Sequence, residues 1–412
     1  MPCRPPARVV PGALRPRGVV FALLAIAIFG LPAFSAGAAD ATSDSPPPAV
    51  GVPAPRADAK ATPDTSTGPE GGEPAAPPRG SASPAAGDPA AAPPPDGPVP
   101  IVLVLPLDSA PYGRAAAAVR AGFLAAAQGG GPRTRVLSHA DGDPMPAFAE
   151  ARALGARVVV GPLVRDDLRA LAIVDGELPV TLALNQLDEG QVLPPRVYAL
   201  TLAIEAEGRQ LARIVQAQGV QTVAVIGAAA PLQKRFAAAF VDEWLLQGGG
   251  RPEVLRFDRS LEGLAQLRRA LGRIPKDAVL LAVDGPDVAL VKSFVGTAPV
   301  FTSSQAHDRL QFESQHDLDG LQFIEVPWLA DPLDPSVDGL PRNDYPTTSL
   351  ERLYALGIDA FRVARAFVDG PPASLEIDGA TGHLSLGNSR VFRREGRHVR
   401  LQGGRLEAAA PR

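Results

Sequence analysis

The sequence predicts an α/β fold in which parallel sheets are flanked by helices and the plan is built twice. Three observations carry this reading. Short, uninterrupted apolar runs recur through residues 98–405, as strands covered on both faces require. Ala- and Leu-rich stretches of helical length separate them, and many end at glycine. The phrases Leu154-Gly155-Ala156-Arg157-Val158-Val159-Val160-Gly161 and Gln218-Gly219-Val220-Gln221-Thr222-Val223-Ala224-Val225-Ile226-Gly227 hold equivalent places in two halves, each reading as helix end, Gly, strand and Gly. Such alternation implies right-handed crossovers between parallel strands.

The elements follow in order. Ile101–Leu105 is a continuous apolar strand closed by Pro106, and a loop over Leu107–Pro111 leads into an Ala-rich helix from Tyr112 to Gln128, ended by three glycines. A strand over Thr134–Leu137 precedes a helix that starts near Pro146 and ends at Leu154. Val158–Val160 is a strand, Val164–Ile173 a helix, and Pro179–Leu184 a fourth strand. The second half runs through a helix at Glu205–Ala217, a strand at Thr222–Ile226, a helix at Leu232–Leu246 and a weaker strand at Val254–Arg256. A helix at Leu261–Leu271, a strand at Ala278–Val283, a short helix and a strand at Pro299–Phe301 complete it. Apolar residues from Leu350 to Val368 fall on one helical stripe. Beyond it, Gly387-Asn388-Ser389 between residues 382–386 and 390–392 signals a hairpin.

Upstream of this domain the composition changes. The chain has 412 residues with 45 Pro and 41 Gly, and 17 of the prolines fall between residues 41 and 100. That stretch has no aromatic residue and too little apolar surface to offset its ordering entropy, so residues 39–97 read as a disordered Pro/Ala-rich linker. Before it, Arg4, Arg8, Arg15 and Arg17 precede the apolar run Val19–Phe29 and the small residues Ser35–Ala39, the pattern of a secretory signal peptide over residues 1–38. The alternative, a retained membrane anchor, is disfavoured by the short run and by Pro32 at its exit. A lipoprotein would carry a cysteine at the end of the run. The one cysteine, Cys3, lies before it, so a soluble periplasmic protein is expected.

Function classes can be excluded in turn. Net charge is −4, and the arginines, which outnumber lysines 36 to 4, are scattered among acids, so nucleic-acid binding has no electrostatic support. Without Cys3 a mature chain has no thiol for disulfides, zinc or nucleophilic catalysis. No Gly-x-Gly-x-x-Gly, phosphate loop or Gly-x-Ser-x-Gly elbow occurs, and no cofactor is expected. His307-Asp308 and His316-Asp317 read as solvated loop residues, and Asp166 and Asp167 as first-turn helix acids. Open α/β sheets place ligands beyond strand C-termini, which singles out Ser109, Tyr112, Gly161 and Asn185 as candidate cleft residues. Ser109 and Asn185 serve equally well as caps.

Several phrases resemble one family. Leu103-Val104-Leu105-Pro106-Leu107 with Tyr112-Gly113 and Arg120–Ala126 is similar to the opening of type I periplasmic binding proteins, and within them to the C-terminal domain of the LppC/LpoA family of penicillin-binding protein activators. Val160–Leu163, Val180–Asn185, Ile204–Ala212, Phe236–Trp244, Tyr354–Phe361 and Gly379–Leu386 continue the likeness in order from about residue 100 to 405. Leu356-Gly357-Ile358-Asp359-Ala360 and Gly379-Ala380-Thr381-Gly382 are the more specific segments.

The resemblance implies a two-lobed fold. Lobe 1 would take residues 98–203 and 330–370, and lobe 2 residues 204–329 and 371–405, with three crossovers and the last hairpin in lobe 2. It implies a non-enzymatic regulator of peptidoglycan synthesis whose partner is a class A penicillin-binding protein. Family members are outer-membrane lipoproteins, and the best-known carry an N-terminal helical-repeat domain where this chain has its Pro-rich linker. The alternative is a periplasmic solute-binding protein holding a small ligand such as an amino acid between the lobes, for an importer or a sensor. Amino-acid binders offer Ser or Thr followed by Gly in the first loop, where this chain has Ser109-Ala110. An exported hydrolase with a scattered Ser/His/Asp site is the third reading.

Overall fold

A computed structural model describes residues 97–174, 177–188, 190–309 and 315–409. The signal segment and all but the last residue of the linker expected from sequence lie outside the described residues.

In the first sheet, β1 (Ile101–Leu105) lies between β2 (Thr134–Ser138) and β3 (Val158–Val160), followed by β4 (Val180–Ala183) and β5 (Val197–Ala199), all parallel. Its helices are α1 (Gly113–Gln128), α2 (Met145–Ala153) and α3 (Arg165–Ala172). All five β1 side chains are buried because both faces are covered. Ile101, Leu103 and Leu105 enter the core that includes α1, while Val102 and Val104 enter the core beneath α2 and α3. β5 was not expected from sequence: it has three residues and follows Pro194-Pro195, too short a run to show a period.

The chain then crosses to a second lobe with α4 (Ile204–Ala217), β6 (Val223–Gly227), α5 (Pro231–Leu246), β7 (Glu253–Arg256), α6 (Leu261–Leu271), β8 (Ala278–Ala282), α7 (Gly285–Lys292), β9 (Val300–Thr302) and β10 (Leu321–Glu325). It returns through α8 (Pro327–Ala330) to α9 (Thr348–Phe367) and forms β11 (Leu375–Gly379), β12 (Gly382–Leu386) and β13 (Arg393–Glu395). It ends in β14 (Arg397–Gln402) and β15 (Arg405–Ala408). The second sheet has the order β15-β14-β10-β9-β8-β6-β7, parallel from β7 to β10, with β14 and β15 added antiparallel. Two cores line its faces, one beneath α6 and α7 and one beneath α4 and α5.

Helix α9 belongs to the first lobe. Leu356, Phe361, Ala364 and Phe367 share a core with β1 and α1, and Phe123 of α1 meets Phe361 edge-on at 5.4 Å. The two helices pack backbone to backbone. A Cβ at Gly122 would overlap the Tyr354 carbonyl oxygen, and one at Gly357 that of Val119.

The expectation for the last hairpin needs correction. β12 pairs with β11 and β13 in a separate three-stranded sheet, and Leu384, Leu386 and Phe392 are buried in the first lobe's core. The segment that completes the second sheet is β14–β15. Its alternation of charged and apolar residues suits an edge ribbon with one covered face, and its two-residue turn is Gly403-Gly404, both at positive φ, a hairpin dipeptide that the sequence reading passed over. The lobes are thus joined at three places: after β5, after β10, and at Gly396 between β13 and β14. At the third, Gln210 of α4 grips Gly396 with both ends of its amide, donating to the carbonyl at 2.9 Å and accepting from the N–H at 3.0 Å.

Candidate functional site

A cavity of about 340 Å³ lies between the lobes. Leu163, Asn185 and Leu353 line it from the first lobe, and Leu232, Gln305 and Ile324 from the second. Of the four candidate residues only Asn185 borders this cavity. Its Nδ2 donates to the Leu163 carbonyl and its Oδ1 accepts from the Gln186 N–H, both at 2.9 Å, so the side chain caps the turn after β4. Ser109 is buried and accepts the Tyr112 N–H at 3.1 Å, tying the loop before α1, while the Tyr112 side chain is 42% exposed. Gly161 has φ +118°, and a Cβ there would overlap the Val104 carbonyl oxygen, so backbone conformation and close packing together demand glycine without any ligand.

The floor of the cavity is built from residues that the sequence reading did not select. Arg352 of α9 donates to both carboxylate oxygens of Glu325, at 2.9 and 2.7 Å, and to the Ser304 carbonyl at 2.9 Å. Glu325 also accepts from the Val326 N–H at 2.9 Å and lies 2.7 Å from His307 Nδ1. Glu207 of α4 accepts from the Ser304 N–H at 3.0 Å and from its hydroxyl at 2.9 Å, with Arg394 of β13 at 4.0 Å. His307, expected in solvent, is thus drawn into the interior by Glu325, with its side chain only 13% exposed. The His316 side chain lies outside the described residues. Chemically, the Arg352–Glu325 and Glu207–Ser304 contacts satisfy one another in a place that water scarcely reaches, while Arg394 approaches Glu207 only as an ion pair and its Nε has no hydrogen-bond partner among the described residues.

Nearby, Asp359 of α9 accepts from the backbone N–H groups of Ala380 and Thr381, at 2.8 and 2.7 Å, and from the Thr381 hydroxyl at 2.6 Å. That carboxylate joins the two segments that carry the family likeness most specifically.

Burial pushes the Glu325 carboxyl up, but the charge and donors of Arg352, together with His307, outweigh it and hold its pKa at about 2 against an ordinary 4.5. Burial dominates at Glu207 and raises it. The two therefore act oppositely on stability. Glu325 contributes stability that is complete above pH 4.5 and is lost as pH falls towards 2, on the order of 3 kcal/mol. Glu207 gains stability over the acid side by taking up its proton earlier in the folded state. Expected for Glu325→Gln is a shallower fall of unfolding free energy between about pH 5 and 2.5, read by urea titration at several pH values. A slope equal to that of the parent chain would remove Glu325 as the source.

A second buried pair lies beyond β2. His139 donates through Nδ1 to the Ala140 carbonyl at 2.8 Å, leaving Nε2 3.8 Å from Asp167 Oδ2. Asp167 stands in the first turn of α3 as expected, but only 2% exposed, and burial raises its pKa. Among the described residues no group of three or more His, Cys, Asp or Glu is arranged to hold a metal ion.

Two mainly parallel sheets in separate lobes, three crossovers and a cavity between them define a periplasmic-binding-protein-like domain. The chain belongs to the LppC family, whose model, described as "LppC putative lipoprotein", matches residues 97–404. A penicillin-binding protein activator LpoA from Edwardsiella piscicida is 28% identical over 312 residues, spanning 64% of this chain and 44% of that protein. The chain thus spans less than half the length of that relative. A structure described as a "putative branched-chain amino acid ABC transporter" from Chromobacterium violaceum is 36% identical, with a TM-score of 0.65 over 73% of this chain and 99% of that one. The C-domain of LpoA from Haemophilus influenzae, a regulator of PBP1A, has a TM-score of 0.64 over 75% of this chain and 99% of that domain, and at 22% identity the likeness is one of fold. The LpoA relatives are named as an activator of penicillin-binding protein and as a regulator of PBP1A.

Proposed function

We propose that this chain is a non-enzymatic periplasmic regulator of peptidoglycan synthesis that binds and activates a class A penicillin-binding protein. The observation that carries the reading is the cleft floor. Where a solute receptor would keep charged groups ready for a ligand, Arg352 is bound to Glu325 and Glu207 to Ser304. Family membership across the whole described domain, with relatives named as activators, supports it. A signal peptide over 1–38 and a spacer over 39–97 would place such a domain in the periplasm, away from its point of export. Pull-down of class A penicillin-binding proteins by the full chain, followed by glycan polymerisation with and without it, tests the proposal. Binding together with faster polymerisation is expected. Absence of both would reject it.

The cavity itself favours a second reading. About 340 Å³ walled by Leu163, Leu232, Ile324 and Leu353 suits a small molecule with an apolar body, with Asn185 at its edge. A solute-binding role predicts a rise in melting temperature with one class of amino acid or metabolite in a thermal-shift screen. A flat screen together with synthase binding assigns the domain to regulation.

A further inference from the structure

The cleft floor is also where the lobes are tied together. Arg352 stands on α9 of the first lobe and Arg394 on β13, which pairs with β12 of the first lobe's core and also meets α4, whereas Glu325, Glu207 and Ser304 come from the second lobe. Side-chain exposure is 8% for Arg352, 0% for Glu325, 4% for Arg394 and 8% for Glu207. At the rim of the cleft the pattern reverses. Arg165 and Arg169 pair with Asp188 inside the first lobe, and Arg235 pairs with Glu205 inside the second. Swinging the lobes apart would leave the rim pairs whole and strip the floor pairs of their partners.

Glu325 concentrates this constraint. It ends β10, and the next residue, Val326, is the second crossover. Its carboxylate holds three things at once: the Val326 N–H of the crossover, the Arg352 guanidinium of the first lobe, and His307 of the second. Rotation of the backbone at Val326 cannot keep all three. Losing one leaves a buried charge without its partner, so the response is a break rather than a gradual yielding.

We propose that the Arg352–Glu325 pair, backed by Arg394 and Glu207, is an interlobe lock that holds the cleft at one angle and must break before the lobes can swing. The lock is independent of whether the chain regulates a synthase.

The test uses the full chain with Cys3→Ser and spin labels on Glu150→Cys in α2 and Arg269→Cys in α6, both exposed sites on opposite lobes. Pulsed dipolar spectroscopy on this parent should give one narrow distance; two populated distances would overturn the lock. Arg352→Met should broaden the distribution or shift its mean by several ångströms. Because this variant leaves Glu325 buried without its arginine, Arg352→Met combined with Glu325→Leu serves as the decisive form, removing both charges and keeping apolar volume. A cooperatively melting double variant with the parent's distance distribution would refute the lock. A broadened one supports it even where its melting temperature matches the parent's. Glu207→Gln, which keeps an acceptor for Ser304, should broaden the distribution less.

Discussion

Gly122→Val or Gly357→Val should cost the domain at least about 3 kcal/mol of unfolding free energy. Each added side chain would press on a backbone carbonyl of the facing helix, the Tyr354 oxygen from Gly122 and the Val119 oxygen from Gly357. Neither oxygen can turn aside without breaking its own helix. The helices must separate, which loosens the Phe123–Phe361 contact and the core between α9 and β1 along its length. With typical domain stabilities of about 5–15 kcal/mol, such a loss would leave about 2–12 kcal/mol, so the variant should stay mostly folded at ambient temperature with a clearly lowered unfolding midpoint. Urea unfolding measures it. A loss below about 1 kcal/mol would mean that α1 and α9 can slide apart at little cost.

Asp359→Ala is expected to be comparably damaging, at about 3–5 kcal/mol, for an electrostatic reason. The substitution leaves the Ala380 and Thr381 N–H groups and the Thr381 hydroxyl without an acceptor in a fully buried place, and it removes the partner of Arg362 at 3.1 Å. Asp359→Asn keeps one oxygen, so it should fall between the parent and Asp359→Ala. Hydrogen exchange supplies a local readout: the Ala380 and Thr381 amides should lose protection before the strands of the second sheet do. Equal losses everywhere would show that Asp359 matters only through global stability.

The sequence was most legible where burial is complete on both faces. Ile101–Leu105, Val158–Val160 and Ala278–Ala282 are visible because no polar residue interrupts them. The alternation in Arg397–Gln402 and the Gly403-Gly404 turn after it were legible signs of the ribbon that completes the second sheet, whereas Leu321–Glu325 is hidden because Gln322 and Glu325 disguise a fully buried strand. The cleft floor was illegible for another reason. Residues 207, 304, 325, 352 and 394 are brought together only by the three crossovers, and no local spacing announces them. Asn185 could be placed near the cavity because loops after parallel strands converge there, but its role as a turn cap depends on the Leu163 carbonyl, 22 residues away. Asp359 and Thr381 lie in the two most specific segments, 22 residues apart, and no local spacing signals that they touch.

The route of the chain has a consequence for how the domain is made. The apolar face of α1 is covered by α9, which comes after every helix of the second lobe. As the polypeptide emerges from the N-terminus, that face stays open until about residue 367 is available, and the first lobe's core closes only when Leu384, Leu386 and Phe392 have followed. The lobe whose strands emerge first is therefore the one completed late in synthesis.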